Sequence, residues 1–321
     1  MKYFDNTRVS AYRSCARYFY YRHVRNWRPQ QISVELANGA AWHAGMDEIW
    51  KNFKRLADEE LVMLAIHAWR KKMLEEGIPI DDPTYAFDQK QTEGVAKEMF
   101  RNYITKRKAV LSDLELLAVE QPFAVPLGPS ADVFYVGRWD KVVRDRHKRI
   151  HAIEHKTTSA YKKDGYFRTD WLTSFSPNSQ IDGYLYAGYL VFGEDFKSVW
   201  VDGALVHKTV HDGFTFIPIS KTTTMLDLWL WETTRWIKMI KEELEMYALE
   251  DPESPIMRVF PRNTDKCSMY RGCVYKDICR FYPNPMQIED PPEGFVEDRW
   301  EPFSELQLDK IGLIQEGDSN G

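Results

Sequence analysis

The chain lacks a strong positive charge, a long apolar run and more than a trace of cysteine. Its 43 Lys and Arg are outnumbered by 48 Asp and Glu, for a net charge of −5, so no global basic field marks a nucleic-acid partner. No apolar stretch approaches the roughly 18–20 residues of a membrane span. The opening residues, MKYFDNTRVS, lack the apolar region of a secretion signal. A cytoplasmic location with no membrane partner is the expectation. No glycine-rich phosphate loop follows a strand, which leaves a nucleoside triphosphatase without support, and there is no internal repeat. The only cysteines are Cys15, Cys267, Cys273 and Cys279. In a reducing compartment such a set reads better as a metal or cluster site than as disulfides.

What is present is ordinary in amount and uneven in placement. A hydrophobic content of 44% and a charged content of 28% fit a globular protein with a sizeable core. Charge is skewed toward the ends. Residues 1–28 carry Lys2, Arg8, Arg13, Arg17, Arg22, Arg25 and Arg28 against Asp5 alone, and residues 286–321 are acidic. A basic arm and an acidic tail of this kind point to a nucleic-acid surface and a tail that can bind a protein partner.

Periodicity places the elements. Residues 7–27 predict one cationic helix, with Arg13 and Arg17 on a shared face. A second helix is predicted to begin at Asn38 with His43 in its first turns, and helical patterning continues to about Leu111, broken at Asp81-Asp82-Pro83. Strands are predicted over 114–127, 133–144 and 149–157, then a helix after Ser176-Pro177-Asn178 that puts Gln180 and Tyr184 on one face. Strands over 197–208 and 213–219 follow, then an amphipathic helix over 223–247 with Leu230, Ile237, Ile240 and Leu244 on its buried side. The prolines from Pro283 onward predict an extended or flexible tail.

The hairpin from Val133 to Ser159 carries the chemistry. Asp140, Glu154 and Lys156 fall where apolar strand residues are expected, and Glu154 and Lys156 share a face. Charges there are costly unless they are paired or bind something. Two carboxylates suit Mg²⁺ or Mn²⁺, and a metal so held activates water and stabilises charge on a phosphoryl group. A surface hairpin with a cross-strand salt bridge is the plainer alternative.

Four short patterns resemble the PD-(D/E)XK nuclease superfamily in its RecB-like branch. They are Gly39-x-x-x-His43, Gly137-x-x-Asp140, the run Ile153-Glu154-His155-Lys156-Thr157, and Gln180-x-x-x-Tyr184. The resemblance implies an α/β fold, with a restriction-endonuclease-like mixed sheet flanked by helices and a helical lobe at the N-terminus. It implies Mn²⁺ or Mg²⁺ held by His43, Asp140, Glu154 and the carbonyl of His155. Lys156 would activate water, with Gln180 and Tyr184 beside it. Glu120 is a further acid that the family often places near the metal, and a non-catalytic role suits it equally. In one subset, which includes the AddB subunit and the CRISPR-associated exonuclease family, four cysteines hold a [4Fe–4S] cluster. The run Tyr12-Arg13-Ser14-Cys15-Ala16-Arg17-Tyr18-Phe19-Tyr20 resembles its first element, and Cys267, Cys273 and Cys279 its second. The late spacing here is C-x5-C-x5-C where C-x2-C-x5-C is usual, so zinc is the competing occupant. Either would join the two ends of the chain.

The organisation expected is residues 1–112 as N-terminal helix and lobe, 113–222 as nuclease core, 223–282 as C-terminal helix and cysteine cluster, and 283–321 as acidic tail. The function implied is a metal-dependent deoxyribonuclease, an exonuclease acting on single-stranded or duplex DNA ends in recombination, repair or CRISPR adaptation, of a size that suits a phage protein. A silent DNA-binding adaptor on the same fold, or an endonuclease, is the alternative. The N-terminal arginines are then candidate phosphate contacts.

Overall fold

A computed structural model describes residues 2–82, 90–128, 132–162, 166–268 and 272–306. Pro83, the end of the acidic tail and the centre of the cysteine segment at 269–271 lie outside them. In chain order the elements are β1 (Tyr3–Phe4), α1 (Asn6–Ser14), α2 (Ala16–Phe19), a π-helical turn over Tyr20–Val24, β2 (Trp27–Pro29), α3 (Val34–Asn52), α4 (Asp58–Glu75) and α5 (Glu93–Asp113). Then come β3 (Glu115–Pro126), β4 (Phe134–Arg144), β5 (Ile150–Thr158), α6 (Thr169–Thr173), α7 (Ser179–Phe192), β6 (Phe196–Leu205) and β7 (Phe214–Ile219). The chain ends in α8 (Thr223–Tyr247), α9 (Lys276–Phe281), β8 (Phe295–Glu297) and α10 (Pro302–Glu305). The described residues form two compact units, one within 2–31, 124–137 and 227–306, the other within 32–123 and 138–226. The chain crosses between them after β2, within β3, within β4 and near the start of α8.

The second unit holds most of the sheet. Strand β4 pairs antiparallel with β5, β5 parallel with β6, and β6 antiparallel with β7, while β3 also pairs with β4. This is the mixed α/β sheet flanked by helices that the resemblance implies. Helices α3, α4 and α5 bury Trp42, Met46, Trp69 and Phe100 against Val143, Ile153 and Ala204 of one sheet face. Trp42 and Phe100 stack at 4.6 Å. Helix α7 packs on the sheet through Ile181 and Leu185, both fully buried. Asn178 caps it by accepting from the N–H groups of Gln180 and Ile181. Helix α3 starts at Val34, four residues before the expected Asn38, because Ser33 Oγ accepts the Leu36 N–H. His43 therefore sits at the helix midpoint and not in its first turns.

The first unit corrects three expectations. The predicted helix over 7–27 is broken at Cys15, whose backbone is extended at φ −162° and ψ 114°. The expected flexible tail is structured from 283 to 306: β8 pairs antiparallel with β2, and Asn284 is almost fully buried. The arginines of the basic arm are mostly consumed within the unit. Arg17 is buried, and its Nε donates to Phe260 O at 2.9 Å. Arg22 and Arg28 both pair with Asp298, at 3.0 and 3.1 Å. Arg25 donates to the carbonyls of Pro285, Ile288 and Glu289, and Arg8 lies over Trp300 at 4.1 Å. Most of the basic arm is thus tied to the late segment, through Asp298, backbone carbonyls and Trp300. The long helix α8 buries Leu226, Trp229, Thr233, Ile237 and Ile240, with Leu230 and Leu244 half-buried.

The seating of α7 on β6 can be tested at Gly188, where a Cβ would strike the ring of Phe196. Gly188→Ala is expected to cost about 1–3 kcal/mol by overpacking. Urea denaturation of Gly188→Ala, Phe196→Leu and the double variant checks this, because a double variant that loses less than the sum of the singles reveals the clash.

Candidate active site

The site forms where β4 and β5 part. Their pairing runs from Arg144↔Ile150 to Lys141↔Ile153 and ends one residue short of Asp140 and Glu154. Asp145 closes the far end by accepting from the N–H groups of His147 and Arg149. Beyond the last pair, the Asp140 carboxylate replaces the missing strand: its Oδ2 accepts the His155 N–H at 2.6 Å. On its other side β5 pairs with β6 along its whole length, from Ile150 to Thr158.

Asp140 Oδ2 also lies 3.3 Å from His43 Nδ1. His43, Glu120 and Asp140 each present a ligand atom within 4.8 Å of the others, and they are the one set so placed among the described residues. Glu120 comes from β3 with its backbone at φ +52°. A non-glycine residue held there costs on the order of 1–3 kcal/mol, and such strain concentrates at functional sites. Sequence patterning gave Glu120 no more weight than a non-catalytic acid. The signal that separates the two is this backbone conformation, which no sequence period reports. Arg138, two residues before Asp140 and so on the same strand face, pairs with Glu120 at 2.6 Å.

Glu154 stands next to this set. Its Oε1 accepts from Lys156 Nζ at 2.5 Å and from Gln180 Nε2 at 3.1 Å. Its Oε2 is buried with no hydrogen-bond partner among the described residues. Gln180 also donates to the Tyr184 hydroxyl at 3.3 Å, and Tyr184 donates to Arg138 O at 2.9 Å. Gln180 and Tyr184 thus brace Glu154 and β4 from α7. The His155 side chain does not join the carboxylates. It is fully buried beside Asp202, whose Oδ2 accepts from Tyr103 at 2.6 Å. His155 Nδ1 lies 3.2 Å from the same oxygen but off the line of a hydrogen bond. On α3, Asp47 pairs with the fully buried Lys141 at 2.6 Å. That pair sits one turn along from His43 and one residue along from Asp140, and it fixes the helix against the strand.

The electrostatics follow from burial and crowding. Burial opposes the charge on Asp140, but His43, Lys141 and His155 outweigh it and hold the carboxyl well below its usual range. Burial would lower the His43 imidazole, and Asp140 and Glu154 reverse this and raise it. Glu154 is raised by burial and by Asp140. Lys156 is raised because Glu154 and Asp140 outweigh its burial. Glu120 is pushed up to about 7 by burial and by Asp140.

The four cysteines lie in the first unit and line one cavity of about 220 Å³ with Arg262, Lys266 and Lys276. Burial raises the Cys273 and Cys279 thiols. Asn263 N–H donates to Cys15 Sγ at 3.3 Å. Among the described residues no set of thiols reaches single-ion spacing, and neither the expected [4Fe–4S] cluster nor its alternative, zinc, is shown.

A pH dependence follows for metal-free protein. The folded Glu120 carboxyl titrates near 7 against an ordinary 4.5, so the stability linked to it is full below about 4.5 and is lost as pH rises through 7. Urea denaturation in chelator is expected to show a loss of roughly 2 kcal/mol between pH 5 and pH 8 from this group. Glu120→Gln should flatten that difference.

A family model of the PD-(D/E)XK nuclease superfamily matches residues 6–280. No curated protein matches. A solved crystal structure of SSO0001 is 14% identical over 79% of this chain and 88% of that chain, at a TM-score of 0.28. The family match spans most of the chain and includes every residue of the site at the parting strands, and on it the chain belongs to the PD-(D/E)XK nuclease superfamily.

Proposed function

We propose that the chain is a metal-dependent deoxyribonuclease acting on DNA ends as an exonuclease, with Asp140, Glu154 and Lys156 at its centre. The observation that carries this reading is the buried, partnerless Oε2 of Glu154 beside the converging His43, Glu120 and Asp140. An orphaned buried carboxylate oxygen is costly, and a divalent cation removes that cost. The donor set of carboxylates and one imidazole fits Mn²⁺ or Mg²⁺. When bound there, such an ion supplies Lewis acidity and a lowered pKa for coordinated water.

The chain's own groups do the rest. Lys156, held by Glu154, is placed to orient the attacking water and to offset charge on the phosphodiester. Gln180 and Tyr184 hold Glu154 and the backbone at Arg138 in register, so the carboxylates meet the substrate preorganised. The adaptor reading is disfavoured by the same set, since a silent site has no need of four buried or half-buried ionisable groups at one point. Recombination, repair or CRISPR adaptation, in a phage or its host, is the setting this activity suits.

The test is digestion of single-stranded and duplex DNA with Mn²⁺. Asp140→Ala and Lys156→Ala are each expected to slow cleavage by roughly 10²–10⁴-fold, and chelator to abolish it. Digestion at the wild-type rate by either variant overturns the assignment, and metal-independent binding without cleavage favours the adaptor.

The cysteine cavity is a separate proposal, a [4Fe–4S] seat. It is supported only by four thiols surrounding one space and not one point, the arrangement a cluster with an iron at each corner requires. Anaerobically purified protein should then be brown with a broad band near 400 nm. Colourless protein sinks the proposal.

A further inference from the structure

Strand β6 carries Gly203 as the register partner of Lys156. Paired residues on neighbouring strands project to the same side at a spacing of about 4.8 Å. Gly203 therefore faces the side that carries Lys156 and Glu154. The space its missing side chain leaves is filled mainly by Trp171 of α6, with Thr215 of β7 beside it: a Cβ at Gly203 would lie 2.6 Å from Trp171 Cη2 and 3.0 Å from both Trp171 Cζ3 and Thr215 Cγ2. The indole thus lies against the floor of the catalytic face, one strand from Lys156.

Trp171 is part of an aromatic group. The ring of Phe167 stacks on it at 5.0 Å and 19°, and Phe175 meets it edge-on at 4.9 Å. Only Phe175 is buried. Trp171 and Phe167 are half-buried, and the preceding Tyr166 is 69% exposed. Local bonds fasten the segment. Phe167 bridges to Tyr161, Arg168 forks onto Asp170 at 3.0 and 2.7 Å, and Ser174 Oγ donates to Trp171 O at 2.7 Å. A segment whose only task was to fill the core would bury its largest rings. This one buries Phe175 and leaves two near-parallel rings with surface beside the groups that meet the phosphate.

We infer that Trp171, with Phe167 stacked on it and Gly203 beneath it, is a base-stacking platform that makes single-stranded DNA the preferred substrate of this site. The inference rests on the nuclease reading above. An unpaired base next to the attacked phosphate can continue the ring stack, and its neighbours can follow the strand outward past Tyr166. A base inside a duplex is already stacked on both faces, and one at a duplex end is held by its pair and its inner neighbour, so it reaches the rings only after unpairing. Stacking on an aromatic side chain tolerates any base, so the preference is for strandedness and not for sequence.

The experiment measures kcat and KM with Mn²⁺ for an oligo(dT), for the same oligomer with one abasic residue placed in turn at each position near the cleaved bond, and for a duplex. Trp171→Ala is expected to raise KM for the intact single strand by roughly tenfold, with kcat little changed. It should leave unchanged the KM of the oligomer whose abasic residue falls at the platform. Trp171→Phe should retain most of the wild-type KM. Gly203→Ala, which pushes the indole off its floor, should follow Trp171→Ala. Equal losses on intact and abasic oligomers, or on single strand and duplex, overturn the platform and reduce Trp171 to loop packing. Wild-type protein that cuts no DNA overturns the nuclease reading first and the platform with it, so the two failures are distinct.

Discussion

The parting of β4 from β5 is the constraint on which the site depends. Two strands that stay paired satisfy each other's N–H and C=O groups and leave no room between them. Here the ladder stops after Lys141↔Ile153, and the His155 N–H has no strand partner on that side. A buried N–H without an acceptor is expensive. Asp140 supplies the acceptor with its side chain, which fixes the carboxylate in the gap. The same oxygen faces His43, so one hydrogen bond sets the position of a helix-borne imidazole, a β4 carboxylate and the start of the free part of β5. Glu154 and Lys156 then emerge on β5 immediately beyond.

Around this gap the fold holds its parts by polar pairs that apolar packing alone cannot specify. Asp47 and Lys141 lock α3 to β4. Tyr184 locks α7 to β4 through the Arg138 carbonyl, and Gln180 locks it to Glu154. Behind β5, Tyr103 and Arg107 meet Asp202, the register partner of His155. Greasy packing of Trp42, Phe100 and Ile153 gives adhesion but slides easily. Buried, directional bonds fix the register at ångström scale, which is what convergent carboxylates need.

Much of this was legible in the sequence, and the parts that were not share a physical reason. The β4–β5 hairpin and α7 are local: alternation, an Asp-led turn and an Asn cap declare them. The charged residues on β4 and β5 are legible because they violate the local pattern. Glu120 violates nothing in sequence, and only its left-handed backbone and its long-range approach to Asp140 set it apart. The arginine arm was misjudged for the same reason. Arg22, Arg25 and Arg28 look like a free basic face until residues 285–298 arrive, more than 250 positions later, to take them up. The break at Cys15 is equally invisible, because no proline or glycine marks it. Helix α6 is five residues long, too short for any periodicity, and its Trp171 gains meaning only from Gly203 on a distant strand.

With the arginine arm largely occupied, the phosphate attraction of this acidic protein has to be sought at the site itself. There the cations already face anions: Lys156 faces Glu154, Arg138 faces Glu120, Lys141 faces Asp47, and His43 faces Asp140. A phosphodiester entering that balanced set adds a negative charge beside four carboxylates and meets no surplus of positive charge among these groups. Lys156 and Arg138 can turn toward the phosphate only if their carboxylates have another cation to hold. Burial and the neighbouring Asp140 raise both the Glu120 and the Glu154 carboxyls, which a further positive charge there would oppose. On the proposed reading, charge balance would tie substrate binding to metal binding at this site.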